Sequence, residues 1–395
     1  PPPPPPPPPP PFFFQPDHAN RDAQESRGLG DVYKRQFPSR VGGIETLMYD
    51  IALNLSHKHD VKVLADQQNS AKDLEFDKNN KNFSILRFKG LKFLRKRNKF
   101  NQLKNICSSN NIEAVITDSW KSLELPINFL KEKKIPIISL VHGNEIIIKN
   151  DNHHKRIKKV LELANALVVN SSYTKNLLSK ISENFKKIEV IYPGVKSTKN
   201  IIEQAIDLDD SYPTLLTLAR LEKRKGHSYI LKSIFNLKKI YPDIQYIIAG
   251  EGDQLENIKK EIKNYNLESN VKLVGTINEN QKKFIFSKTD IMIMPTIDET
   301  HANSIEGFGI AYIEAAQYGI PSIASNVGGT PEAVLHNKTG LIINNFNELD
   351  ESIKNLVENN QNRIELGQNA KNRAESELNW EKQVAKYNKL IDDIQ

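Results

Sequence analysis

Thr214-Leu215-Leu216-Thr217-Leu218-Ala219-Arg220-Leu221-Glu222-Lys223-Arg224-Lys225-Gly226 is a short apolar, partly β-branched run that ends on a cationic loop and a glycine. It reads as a strand over 214–218 with a basic turn at its carboxyl end. Two cations converging at a strand end suit a diphosphate, Arg220 as a planar fork and Lys225 as a point charge. A solvated basic loop is the competing reading. Working outward, the alternation continues with strands expected at 246–249, 271–274, 291–294, 321–324 and 341–343. Upstream, strands are expected at 61–64, 114–117, 136–141, 166–170 and 188–192, and a glycine turn opens a helix over 44–56. Short β-rich runs alternating with helices imply βαβ units and parallel sheets. The polar stretch 196–212 divides this pattern, so the expected class is α/β with two Rossmann-like halves facing a ligand cleft at their strand ends. The stretch 380–394 is expected as an amphipathic helix.

Length agrees with two domains: 395 residues exceed the roughly 250–300 at which single cores stop growing. At 38% apolar and 26% charged residues, a packed core forms and disorder is confined to the ends. Apolar runs such as 135–141 and 166–169 fall far short of the roughly 20 residues that span a bilayer. A single cysteine, Cys107, excludes a disulfide framework and a thiolate zinc site. Fifty-five Lys and Arg against 48 Asp and Glu leave a formal charge of +7, which suits anionic partners or reflects bias toward Lys, Asn and Ile. Residues 1–36 stand apart. An unbroken proline run to Pro11 and the triplet Phe12-Phe13-Phe14 lack a secretory pattern, and 21–36 shows no period. This leader is expected to be non-native or disordered, an assembly artefact before a truncated gene or else a proline-rich linker.

The residues that carry chemistry follow strands. Glu306-Gly307-Phe308-Gly309-Ile310-Ala311-Tyr312-Ile313-Glu314 sets two acids with seven residues between them around a glycine pair. The glycines allow a tight turn and close backbone approach to a ligand, and a following helix offers N–H groups to an anion. One acid is then placed for a sugar ring and the other for a ribose; two unrelated surface acids around a turn are the plainer reading. Gly42-Gly43-Ile44-Glu45 opens a helix and can present N–H groups to phosphate, or is simply a cap. His142, after the apolar run 136–141, is a site candidate or a hydrogen-bonded structural histidine. Asp207-Leu208-Asp209 lies in the linker stretch and is taken as a chance match to a metal motif; no metal site is expected.

Together these residues resemble glycosyltransferase family 4, from about Phe37 to the C-terminus. The resemblance rests on Gly42-Gly43-Ile44-Glu45, His142, Val168-Val169-Asn170-Ser171, Ile191-Tyr192-Pro193-Gly194-Val195, Arg220 with Lys225-Gly226, Ala249-Gly250-Glu251-Gly252, Glu306 to Glu314, Gly319-Ile320-Pro321, Gly328-Gly329 and Trp380-Glu381. It implies a GT-B fold: an acceptor domain over 37–196, a linker over 197–212, a nucleotide-sugar domain over 213–375, and a helix within 376–395 crossing back to the first domain. It implies that Arg220 and Lys225 hold the donor diphosphate, Glu314 the ribose hydroxyls and Glu306 the sugar. Backbone N–H groups of Phe308, Gly309 and Ile310 complete the site, with Gly250 among the donor-binding residues. His142 sits near the reacting centre, and Gly42 and Gly43 approach the phosphates. One departure stands out. The family begins with an apolar strand before the Gly-Gly turn, and here that place holds Asp31-Val32-Tyr33-Lys34-Arg35-Gln36, a poor buried strand, so the first strand is expected to be defective or missing.

The activity implied is retaining transfer of a sugar from a UDP- or GDP-sugar to a glycan or lipid-linked acceptor, in cell-envelope polysaccharide synthesis. No cofactor is expected, since cations and N–H groups stabilise the leaving diphosphate. The rivals are a nucleotide-sugar epimerase of similar fold, which needs no acceptor, and a catalytically dead nucleotide-binding protein. A dinucleotide dehydrogenase is disfavoured because no Gly-x-Gly-x-x-Gly follows an early strand. The segment from Arg87 to Lys104 holds eight cations and no acid, with Phe88, Leu91, Phe93, Leu94 and Phe100 interleaved. It is expected either to dock on an anionic membrane or to be a solvated basic helix; no nucleic-acid partner is expected, for want of a recognition module. The location implied is cytoplasmic, peripheral on the inner face of the cell membrane.

Overall fold

The computed structural model describes residues 28–33, 37–38, 42–67, 69–196, 206–208, 211–299 and 304–395. Its strands form two sheets. The first contains β1 (Gly28–Tyr33), β2 (Val61–Asp66), β3 (Ser84–Phe88), β4 (Ile112–Thr117), β5 (Ile137–Val141), β6 (Ala166–Val169) and β7 (Ile188–Val190). The second contains β8 (Thr214–Leu218), β9 (Gln245–Ala249), β10 (Val271–Gly275), β11 (Ile291–Met294), β12 (Ser322–Ser325) and β13 (Gly340–Ile343). Strand orders are β3-β2-β1-β4-β5-β6-β7 and β10-β9-β8-β11-β12-β13. All pairings are parallel. Both orders reverse direction beside their first strand, which is the doubly wound pattern.

The second sheet shows why these runs are strands. Ile291 and Ile293 of β11 enter one buried cluster, with Leu215, Ile248 and helix residues Ile230 and Ile234. The alternate residues Met292 and Met294 enter another, with Leu216, Phe308, Tyr312 and Ile313. A sheet covered by helices on both faces buries both sets of a two-residue period, so its strands read as continuous apolar runs. Helix starts carry local signals: Asn278 forms a capping box with Gln281, and Asn150 accepts from the His153 N–H.

The chain falls into two compact units. One holds the described residues up to Val169, Leu178–Ile191 and Gln383–Gln395; the other holds Asn170–Leu177 and Tyr192–Lys382. The C-terminal helix Trp380–Ile394 contributes its later part to the first unit. There Asn388 Oδ1 lies 2.7 Å from His59 Nε2, and Lys187 Nζ lies 2.7 Å from Asp393. Of the linker stretch, residues 197–205 and 209–210, and with them Asp209, lie outside the described residues; Ile206 and Leu208 pack on the second unit's core.

Two expectations change. The first strand is not missing: Gly28–Tyr33 lies between β2 and β4 and pairs with both, with register shifts on each side. Its two glycines and single aspartate give no hydrophobic signal, but a strand between two parallel neighbours is held by backbone hydrogen bonds that need no particular side chain. The rest of the expected leader lies outside the described residues. The segment from Arg87 to Lys104 is not one cationic surface. It comprises the end of β3, a turn and the start of the helix Lys92–Ser109. Arg87 ion-pairs with Asp77 at 2.7 Å and Asp73 at 3.4 Å, while Arg95 and buried Lys99 both pair with Asp66. Phe100 packs edge-on against Phe129. Those acids come from β2 and the helix Ser70–Asn79, which spacing within the segment does not reveal.

Candidate functional site

In the second unit the loops after β8 and β11 leave neighbouring strands at the order reversal, where a doubly wound sheet binds its ligand. After β8, Arg220 is 56% exposed and its guanidinium lies 2.8 Å from Glu222. The turn Lys223–Lys225 then closes on Gly226, at φ 74°. A Cβ there would stand 2.2 Å from the Pro295 carbonyl oxygen, so glycine alone lets this turn lie against the segment after β11. That approach carries Arg224 and Lys225 inward. Both are buried, and both donate to the same oxygen of Glu306, each at 2.5 Å. Arg224 Nε also reaches Glu222 at 3.0 Å. Burial pushes the Glu306 carboxyl up, but the Lys225 ammonium and Arg224 guanidinium outweigh it and hold it at about 2. Glu306 is thus an ionised carboxylate flanked by two buried cations, an arrangement that positions charge rather than transfers protons.

The backbone around Glu306 is clamped. Gly328 and Gly329 lie so close that Cβ atoms would stand 2.3 Å from the Glu306 oxygen and 2.0 Å from the Gly307 oxygen, and the Gly329 N–H donates to the Glu306 carbonyl at 2.9 Å. Phe308 is buried and stacks on Tyr192 with ring centroids 5.1 Å apart, so only its backbone is available to a ligand. Gly309, at φ 96°, caps the helix Ile310–Ala316. Glu314 lies within that helix and pairs at 2.7 Å with Lys282, which also reaches Glu279 at 2.9 Å. Glu306 and Glu314 therefore sit in two different ionic clusters. Gly250 follows β9 with φ 141°, and a Cβ would stand 1.9 Å from the Ala219 oxygen. It lets the loop after β9 pack beneath Arg220, where the Leu221 N–H also donates to the Glu251 carbonyl at 2.9 Å.

The first unit carries the remaining candidates. Gly42 precedes the helix Gly43–Leu55, and the Glu45 carboxylate folds back so that a Cβ on Gly42 would be 2.4 Å away. His142 ends β5 and is buried. Its Nε2 lies 3.0 Å from the Asp118 carbonyl oxygen, which can only accept, so the proton is on Nε2. The His142 backbone N–H donates to Glu145 at 2.7 Å. Burial pushes the Glu145 carboxyl up to about 6 against that hydrogen bond. The structure thus brings Lys225 onto Glu306, sets Arg220 at the same strand end, places Glu314 with Lys282, and puts Gly42, Gly43 and His142 in the other unit.

Sequence reasoning missed Arg224, Lys282, Asp118 and Glu145. Arg224 lies inside the quoted basic run, but which two of its four cations are buried is set by the Gly226 turn, not by spacing. Among the described residues no group of three His, Cys, Asp or Glu could hold a metal ion, and no helix is long and apolar enough to cross a membrane.

Two family models match in tandem, Glycosyltransferase Family 4 over residues 41–199 and Glycosyl transferases group 1 over residues 198–373. A relative, the GDP-mannose-dependent alpha-(1-6)-phosphatidylinositol monomannoside mannosyltransferase of Mycobacterium tuberculosis, is 22% identical over 367 residues, 89% of this chain and 94% of that protein. Among solved structures, sucrose-phosphate synthase from Thermosynechococcus elongatus matches with a TM-score of 0.74 at 18% identity, covering 93% of this chain and 95% of that one. Anabaena Alr3699/HepE in complex with UDP and glucose matches with a TM-score of 0.73 at 16% identity, covering 92% and 99%. These likenesses bear out the fold expected from the sequence, α/β with two Rossmann-like halves in the GT-B class.

Proposed function

The chain belongs to glycosyltransferase family 4, the glycosyl transferases group 1, and from that premise we propose that it moves a hexose, with retention, from a UDP- or GDP-sugar to a glycan or lipid-linked acceptor. The observation that carries the reading is the buried Arg224–Lys225–Glu306 cluster beside Arg220, at the order reversal of the second sheet. Departure of a nucleoside diphosphate builds negative charge, and cations fixed in advance stabilise it without reorganising. Arg220 and Lys225 take the diphosphate. Lys225 then turns from Glu306 to a phosphate oxygen, while Arg224 keeps Glu306 ionised and in place to accept from sugar hydroxyls. Glu314 accepts from the ribose hydroxyls, and the backbone N–H groups of Phe308, Gly309 and Ile310 face the donor. Gly250 shapes the loop under Arg220. Gly42 and Gly43 are assigned to the donor phosphates and His142 to the acceptor side, as the family resemblance implies. The chemistry requires no metal in this scheme.

The mycobacterial relative is named for GDP-mannose and a phosphatidylinositol mannoside, and HepE was solved with UDP and glucose. Both support a nucleotide-sugar donor, and the first supports a lipid-linked acceptor; envelope synthesis at the cytoplasmic face of the membrane is the setting we propose for it. The test is a panel of GDP- and UDP-sugars scored for nucleoside diphosphate release, with and without lipid extract. Release that requires an acceptor supports transfer. Epimerised donor without release, or nucleotide binding without release, overturns it.

A further inference from the structure

From Lys78 to Ile112 the sequence holds ten cations and no acid. Folding sorts them. Arg87, Arg95 and Lys99 turn inward to Asp73, Asp77 and Asp66, and Lys104 lies over the Phe100 ring at 4.4 Å. What stays outside is concentrated at the turn before the helix Lys92–Ser109 and in its first turns. Leu91, Phe93 and Leu94 are 77%, 71% and 48% exposed, the last two in consecutive positions. Lys89, Lys92 and Arg97 are exposed around them, with no acidic partner among the described residues.

Two features of this turn run against the stability of the chain itself. A helix start favours Asn, Asp, Ser or Thr at the cap and acids in the first turn, because its N–H groups carry partial positive charge. Asn69, Asn150 and Asn278 cap other helices of this chain with their side chains. Here the cap is Leu91, without a side-chain hydrogen bond, and the first turn holds no acid but carries Lys92 and Arg95. Contiguous Leu and Phe left in water are the second feature. Local rules broken together at one place mark a site that something outside the fold completes.

We infer that this turn, Leu91 to Leu94 with Lys89, Lys92 and Arg97, is a docking element for an anionic phospholipid bilayer. The cations and the positive helix end meet headgroups, and Leu91, Phe93 and Leu94 enter the headgroup–acyl boundary. Nucleic acid would answer the charges and leave the apolar side chains wet. A second copy of the chain seated symmetrically would set the cations against themselves. The inference deepens the lipid-linked acceptor reading. Donor breakdown measured without lipid reports on the donor site alone, so the two fail separately.

Vesicle co-sedimentation tests it, with phosphatidylglycerol–phosphatidylethanolamine vesicles against phosphatidylcholine vesicles at low and high salt. The expected result is binding to the anionic vesicles only, weakened by salt. Leu91→Ser with Phe93→Ser should lower partitioning about tenfold or more, and Lys89→Gln with Lys92→Gln about tenfold or more. Lys232→Gln with Lys239→Gln, two exposed lysines of the second unit, should leave it unchanged. All three variants should melt with the parent chain, since the side chains removed are exposed. Indifference to anionic vesicles at low salt, or equal binding by the serine variant, overturns the proposal. So does a dimer that the serine variant dissolves, or salt-sensitive binding to an oligonucleotide with none to vesicles.

Discussion

Replacing Arg224 and Arg220 separately by Met divides the two tasks of the cationic loop. Arg224 is buried and shares Glu306 with Lys225, each 2.5 Å from the same oxygen. Breaking a buried ion pair outright costs about 3–5 kcal/mol, but here Lys225 remains and Met refills much of the stem volume, so about 2 kcal/mol is expected. The carboxyl agrees in scale. A fall from 4.5 to about 2 corresponds to roughly 3 kcal/mol of preference for the ionised form, shared between two cations. Because the folded value is depressed, this stability is present above pH 4.5 and lost as pH falls toward 2. In Arg224→Met the folded value climbs back toward 4.5, and the acid dependence flattens. Arg220 is 56% exposed and touches Glu222, so its loss should cost no more than about 0.5 kcal/mol. Its loss should nevertheless lower donor turnover about 10²–10³-fold. Urea unfolding at pH 7 and pH 4, paired with nucleoside diphosphate release, measures both. Equal destabilisation by the two variants, or full turnover in Arg220→Met, would refute the division.

Glu314→Ala should weaken binding of the bare nucleoside diphosphate by roughly 1.5–3 kcal/mol in calorimetry, while Glu306→Ala should act chiefly on turnover; equal losses of binding would contradict the two-cluster reading. Gly250→Ala places a Cβ 1.9 Å from a backbone oxygen at φ 141°, so the Arg220 loop must shift. A drop of about 1–3 kcal/mol in stability together with weaker donor binding is expected, and an unchanged melting curve would remove that glycine from the account. Turnover should survive EDTA, and a loss restored by a divalent ion would show that the cations named here are insufficient.

The parts of the fold legible in the sequence are those where one strand carries its own signal. β8 and β11 have the bounds their apolar runs imply, because both faces are buried and no charged residue interrupts them. β1 and β3 were not legible. Gly28–Tyr33 is positioned by its two neighbours, and Ser84–Phe88 carries Arg87 one residue before its end, with a charge matched by Asp73 and Asp77 on another element. The same limit applies at the site. The types of Lys225 and Glu306 pointed to anion chemistry, but their 2.5 Å contact spans 81 residues and depends on a Gly226 turn fitted against Pro295. Arg224 was hidden because spacing does not tell a buried cation from its solvated neighbour Lys223. Lys282 pairs with Glu314 across 32 residues for the same reason. The exposed Leu91 and Phe93 became meaningful only once Arg87, Arg95 and Lys99 were seen to point inward.

The central claim is that the cluster after β8 and β11 binds a nucleotide-sugar for transfer. The most direct measurement follows labelled sugar from GDP-mannose and UDP-glucose into extracted lipid or glycan, comparing the parent chain with Lys225→Met. The account predicts label in the acceptor fraction in step with free nucleoside diphosphate, falling about 10²–10³-fold in the variant. Label that stays on the nucleotide, or transfer that Lys225→Met leaves intact, would contradict it.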